Sequence, residues 1–305
     1  VCMKRGGSRI DGNRPAGIPP GSLKMDQRIV ILGGGPTGLG AAWRLTELQY
    51  PAYRMFEKNP YPGGLSSSHT DENGFTWDIG GHVLFSHYPY FDRLMDLLLK
   101  DRWLSHERES WVWMRRRWIP YPFQFHIGRL PTGDLWRCLW GMVASRRNGV
   151  PPRNFKQWIY SHFGKGIAEL FMLPYNEKVW AYPAEEMSFS WIGERVAVPD
   201  FKRVASSVLL GRDDDSWGPN NTFRFPEKGG TGEIWKQLCN RLDREKVFLN
   251  SPVRAIDTRK REVLVNGQRE PYDILISTLP LDQFLTISDL RDASVERELV
   301  HTSVH

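Results

Sequence analysis

The sequence predicts an α/β fold: a parallel-sheet domain, a mainly helical insertion set between its pieces, and part of an antiparallel sheet domain. Three observations predict it. Four apolar residues, Ile29 to Leu32, run without a break, as a strand buried on both faces does. Glycines follow at 33, 35 and 38 and open a stretch of helical periodicity. A second strand pattern, Tyr53 to Phe56, ends in Glu57.

Composition sets the frame for these elements. The chain has 305 residues, 40% hydrophobic and 25% charged, which suits a globular protein and excludes a disordered one. No run of 18 apolar residues predicts a membrane-spanning helix, and no secretory leader is evident, so a cytoplasmic location is expected. The net charge is +6, but Lys4, Arg5, Arg9, Arg14 and Lys24 against Asp11 place most of it in residues 1–25. That Gly/Pro-rich stretch reads as a disordered basic leader or a gene-boundary artefact, with the domain starting near Met25. The excess therefore does not argue for nucleic acid. Arg115, Arg116 and Arg117, and Arg146 with Arg147, read as solvated faces. Cys2, Cys138 and Cys239 have no metal or disulfide spacing, which fits a reducing compartment, and no metal site is expected.

Residues 28–58, RIVILGGGPTGLGAAWRLTELQYPAYRMFEK, form a Rossmann-like βαβ unit. Gly33 allows the tight turn. Gly35 lets a pyrophosphate approach the backbone at a helix N-terminus, where free N–H groups favour an anion. Gly38 permits close helix packing. Glu57, 19 residues after the last glycine, can accept from an adenosine ribose and favours NAD or FAD over NADP. Next comes KNPYPGGLSSS, where Gly63 and Gly64 make a second close-approach loop before Leu65, and then FTWDIGGH, where Gly80 and Gly81 precede His82. From these residues alone, His82 reads as a satisfied, partly buried histidine.

Residues 103–125 are rich in aromatics: Trp103, Trp111, Trp113, Trp118, Tyr121, Phe123 and Phe125. WVWM alternates as a half-buried strand does, and Pro120 and Pro122 make IPYPFQ an edge or kinked segment. Most of these rings are expected in the core. Residues 132–182 read as helices. Leu135, Leu139, Met142 and Val143 share one face, Asn154 is the expected N-cap before Phe155, Trp158, Ile159 and Phe163, and the pattern from Ile167 ends at Pro174. Further on, FRFPEKGGTGEIWKQL gives a glycine loop and a helix, and KVFLNSPVRAID a strand pair. REVLVNGQRE forms a hairpin through Asn-Gly, and YDILISTLP a buried strand.

The order of acid, GG loop, short hairpin and second GG resembles flavoproteins of the amine oxidase superfamily. The stretches GGHVLFSHYPYFD, IPYPFQ, ELFMLPYNEKVWA, WIGERVAVPD and WGPNNTFRFPEKGGTGEIW are similar to the eukaryotic-type UDP-galactopyranose mutases, from about residue 28 to about residue 290. Family members are considerably longer. The resemblance implies a Rossmann-like FAD-binding domain built from residues 26–105 and 221–290. Residues 106–128 would be strands of a substrate-binding sheet, 129–220 a helical insertion and 291–305 a truncated end.

The resemblance also assigns roles. FAD would lie against Gly33, Gly35, Gly38, Glu57, Gly63, Gly64, Leu65, Gly80, Gly81 and His82, with Val253 on the adenine side. His82 and Arg195 would act in catalysis, and His87 would be structural. Tyr121, Phe123 and Gln124 would line the uridine end, joined by Phe171 and Asn176. Trp180 and Arg195 would face the sugar and flavin, with Asn220 as a further sugar contact. Without the resemblance, Arg195 reads equally as an ion-pair partner of Glu194. NADPH would reduce the flavin near Arg108 and Ser110. The implied reaction interconverts UDP-galactopyranose and UDP-galactofuranose, with reduced flavin N5 as nucleophile and a flavin–sugar adduct, which removes any need for a catalytic triad. Rivals are an FAD-dependent amine oxidase or desaturase and a non-catalytic, truncated FAD-binding paralogue. Homo-oligomerisation is left open.

Overall fold

A computed structural model describes residues 24–80, 82, 84, 86, 88–146, 151–192, 196, 198–210, 222–292 and 294–295. The chain divides into two compact units. Among the described residues, one comprises those from Lys24 to His82, from Tyr90 to Arg102 and from Pro226 to Val295; the other comprises those from Leu84 to Pro89 and from Trp103 to Phe225.

The first unit is built on a four-stranded parallel sheet, in the order Ile274–Ser277, Ile29–Leu32, Tyr53–Phe56, Val247–Phe248. Ile29 stands opposite Ile274 on one side and Tyr53 on the other. All four residues of the Ile29–Leu32 strand are buried because the strand is central and covered on both faces. The helix Pro36–Glu47 packs against it. Val30 and Leu32 join Phe56, Ile256, Val263, Val265 and Tyr272 in a core shared with an antiparallel meander, Val253–Asp257, Glu262–Val265 and Gln268–Pro271. Alternation of side chains along a strand places Ile29 and Ile31 on the opposite face.

The Asn-Gly signal holds: Asn266 (φ 49°) and Gly267 (φ 79°) turn the meander's second hairpin. Two expectations need correction. The segments of KVFLNSPVRAID do not pair with each other: Val247–Phe248 extends the parallel sheet, and Val253–Asp257 joins the meander. The Ile274–Ser277 strand is only half-buried, because it lies at the edge of the sheet.

The second unit is mainly helical: Thr132–Ser145, Phe155–Ile167, Leu173–Trp180 and Phe201–Leu210. The Asn154 side chain caps its helix, accepting from Gln157 N at 2.9 Å. Periodicity does not end at Pro174. The chain passes through one π turn, Ala168–Met172, and Pro174 sits in the first turn of the next helix, where its missing N–H costs nothing. A core of Ile119, Phe123, Phe155, Ile159, Phe163 and Ile167 is fully enclosed. The Trp111–Met114 and Arg117–Pro120 hairpin turns Val112, Met114 and Ile119 toward that core. Trp111, Trp113 and Trp118, expected inside, point outward, with Trp113 and Trp118 paired across the strands at 4.9 Å. Among the described residues no helix is long and apolar enough to cross a membrane, and no cluster of His, Cys, Asp and Glu could hold a metal.

Candidate functional site

The sheet delivers its first strand into residues 33–35, and each glycine there answers a different constraint. Gly33 has φ +97°, and a side chain on it would strike the Thr278 hydroxyl. That Thr278 is anchored on the strand end: its N and Oγ1 both donate to the Leu32 carbonyl, at 2.9 and 2.8 Å. A side chain on Gly38 would strike the Gly33 carbonyl, so this glycine packs the helix on the turn itself. A side chain on Gly35 would meet nothing within 4 Å. Gly35 is also the N-cap of the Pro36–Glu47 helix, which has no side-chain cap and no acid in its first turn. The free N–H groups and positive end of the dipole there favour an anion.

Glu57 braces the turn. Its buried carboxylate accepts from Gly34 N at 2.6 Å and from Asn59 N at 2.8 Å. Each oxygen keeps a second lone pair, which a ribose hydroxyl could use. The second glycine turn is stitched to the first: Gly63 N donates to the Gly34 carbonyl at 2.8 Å, and an added Cβ on Gly64 would stand 3.2 Å from Gly35 Cα. Both adopt positive φ, +109° and +53°. Leu65 rises from this turn 76% exposed. The third turn hangs from the same place, since Ile79 N donates to the Ser67 carbonyl at 3.1 Å. Gly80 (φ +143°) then lets the chain swing so that the His82 ring folds back over it, with Cε1 3.2 Å from where a Cβ at position 80 would be. His82 Nδ1 is buried and has no hydrogen-bond partner among the described residues. Val253, at the start of its strand, lies partly buried opposite Val265. Gly81 lies outside the described residues.

These residues fit a flavin dinucleotide. The uncapped helix start can take a pyrophosphate, Glu57 a ribose, and the unpartnered His82 nitrogen a polar edge of the ring system. The exposed Leu65 offers apolar cover.

In the helical unit the predicted nucleotide residues come together around a ring stack. Phe123 stacks on Phe171 at 4.6 Å and 24°, and Phe171 on Tyr175 at 5.0 Å and 18°. Tyr121 meets Phe171 edge-on at 6.3 Å. Phe123 is fully enclosed and supports the stack from beneath, whereas Tyr175, which the sequence reading missed, ends it with an exposed face. The signal was present as an i, i+4 aromatic pair, Phe171 and Tyr175. Burial, and then Tyr175, push the Tyr121 phenol up to about 12, so it remains a neutral donor at ordinary pH.

Gln124 is buried. Asn176 is buried too, donating to the Met172 carbonyl at 2.7 Å and accepting from Trp180 Nε1 at 3.3 Å. The Trp180 ring meets Trp191 at 5.1 Å. Arg108 lies 5.7 Å over the Phe223 ring, and the Ser110 carbonyl accepts from Tyr121 N at 2.9 Å. Arg195, Asn220 and His87 lie outside the described residues. Cys138 is no nucleophile: burial, and then Asp134, push its thiol up to about 12.

Comparison with known proteins places both units. Residues 31–98 match the NAD(P)-binding Rossmann-like domain family, and residues 146–295 the family of flavin-containing amine oxidoreductases. A crystal structure of reduced UDP-galactopyranose mutase is 50% identical, with a TM-score of 0.83, over 86% of this chain and 56% of that one. This chain thus spans little more than half the length of that protein. Two others share the fold at 17% identity. One is a protoporphyrinogen oxidase homologue from an Exiguobacterium species (TM-score 0.63, 86% of this chain and 61% of that one). The other is a fatty acid isomerase from P. acnes (TM-score 0.57, 91% and 64%).

Proposed function

We propose, for a chain that belongs over the compared part with the UDP-galactopyranose mutases, that it is the FAD-binding and nucleotide-binding portion of a flavin-dependent mutase acting on UDP-galactose. The observation that carries this reading is the presence of two separate built sites in one chain: a turn shaped for a dinucleotide and a ring stack that ends on an exposed tyrosine.

The chemistry supplied by bound, reduced FAD is nucleophilic displacement of UDP and its return, which changes the sugar ring size without net oxidation. The protein then has to bind and orient. The helix start at Gly35 holds the pyrophosphate of the cofactor, and Glu57 its ribose. His82 presents Nδ1 to the ring system. Tyr175 stacks on the uracil, supported by Phe171 and Phe123, and Tyr121 and Gln124 supply polar edges. Asn176 and Trp180 form a hydrogen-bonded pair toward the sugar, with Arg195 and Asn220 as further contacts. NADPH is the reductant, near Arg108 and Ser110.

The test is direct. The purified protein should show a flavin spectrum and, once reduced with dithionite, convert UDP-galactofuranose to UDP-galactopyranose with no stoichiometric use of reductant. A colourless protein, or a reduced one that forms no pyranose, refutes the reading. Oxygen uptake with an amine substrate instead establishes the oxidase. The stack gives a graded check. Tyr175→Ala is expected to raise KM for the UDP-sugar about 10-fold, because ring-on-base stacking contributes about 1–3 kcal/mol, and Tyr175→Phe to leave it within about twofold.

A further inference from the structure

The turn that carries His82 is fixed at its base by a partly buried hydrogen-bond node. Ser68 and Asp78 are opposite one another in the hairpin of Ser68–Thr70 and Thr76–Asp78. Ser68 Oγ accepts from Gly232 N at 2.8 Å, so its one hydrogen is left for Asp78 Oδ1, 2.5 Å away. The same carboxylate oxygen accepts from Thr231 N at 3.1 Å. Thr231 Oγ1 reaches back to the Ser66 carbonyl at 3.4 Å.

Gly230 (φ +63°) completes the fit, since any side chain there would overlap Asp78 Oδ1 and Ser68 Oγ. The two strands of this hairpin, the second of which is the base of the His82 turn, are thereby joined to the start of the Gly232–Cys239 helix, 153 residues beyond Asp78 at Thr231. A carboxylate at a helix start is also electrostatically favoured. Beyond Asp78, Ile79 is tied by its own N–H, and then the chain is released at Gly80.

We propose that Asp78 is a positioning residue, which with Ser68 and the amides of Thr231 and Gly232 sets where the His82 ring stands for the cofactor. The inference rests on the dinucleotide reading above. Asp78→Ala removes the shared acceptor and frees the turn. Asp78→Asn keeps an acceptor oxygen and holds it.

The test is the rate at which diethyl pyrocarbonate modifies each histidine of the purified protein, read by mass spectrometry, together with the FAD dissociation constant. His69 and His106, both exposed, are internal references. Asp78→Ala is expected to speed modification of His82 about 10-fold and weaken FAD about 10-fold. His69 and His106 should keep their wild-type rates, and Asp78→Asn should stay within about twofold of wild type on both measures. Ser68→Ala should act in the same direction as Asp78→Ala, and it decides the matter if Asp78→Ala does not fold. A wild-type His82 rate in both alanine variants overturns the proposal. So does a rise at all three histidines alike, which marks general loosening, or an Asp78→Asn protein that behaves as Asp78→Ala. No sugar substrate enters these measurements, so failure of the mutase assay and failure of this clamp are separate results.

Discussion

Gly164→Ala is expected to cost about 3 kcal/mol of stability and to lower the midpoint of chemical unfolding accordingly. Two terms add. Gly164 sits inside the Phe155–Ile167 helix at φ 71° and ψ 165°, a region essentially reserved for glycine, where another residue costs about 1–3 kcal/mol. A methyl group there would also overlap the backbone of Gly141 and Met142 in the Thr132–Ser145 helix. Overpacking typically costs about 1–3 kcal/mol, and here the obstruction is main chain, which cannot change rotamer. The contact is reciprocal. A methyl on Gly141 would stand 2.7 Å from Gly166 N, and one on Gly166 would strike the Arg137 carbonyl. Three glycines thus let two helices cross backbone to backbone. Gly133→Ala, in the first turn of the Thr132–Ser145 helix, is the control. Its methyl would meet nothing within 4 Å, so it should be neutral or stabilise by about 0.5 kcal/mol. Urea titrations followed by circular dichroism, with equal losses in the two variants, would refute the crossing as the cause.

That crossing marks where sequence reasoning ran out. The dinucleotide turn was legible because its constraints are local: a strand, glycines at fixed offsets, a helix and an acid act within 30 residues. The Asn-Gly hairpin and the Asn154 cap were legible for the same reason. Gly141, Gly164 and Gly166 drew no notice, because a glycine that admits another helix looks like any other until the two helices are placed. Ser68, Asp78 and Thr231 were missed on the same ground: their types are ordinary, and 153 residues separate Asp78 from Thr231. The tryptophans of WVWM show a different limit. Alternation identifies a strand but is unchanged when the strand is turned over, and here the smaller Val112 and the flexible Met114 fill the core instead. Pro174 reads as a stop although proline is accepted in a helix's first turn, and nothing local announces the π turn that starts a new segment there.

His82→Ala is expected to lower turnover of the reduced, flavin-loaded protein about 100-fold while leaving stability within about 1 kcal/mol. The two halves of this expectation have one cause. Nδ1 of His82 is buried without a partner among the described residues, and an unmade hydrogen bond of that kind costs a folded protein about 1–3 kcal/mol. Removing the ring relieves that cost while it forfeits packing over Gly80, so the net change in stability is small. A catalytic role is one of the uses for which a chain retains such a cost. If that use is to meet the cofactor's ring system, the loss falls on kcat, since oriented polar groups in an enclosed site contribute on the order of 100-fold each. KM for the UDP-sugar should move less than threefold, because the proposed function assigns nucleotide binding to Tyr175 and its neighbours and not to His82. Gly80→Ala should reproduce part of the kinetic defect with His82 intact, by displacing the ring at Cε1. A His82→Ala protein that unfolds in proportion to its lost turnover would show instead that the ring is there for packing, and the meaning given to the glycine before it would fall as well.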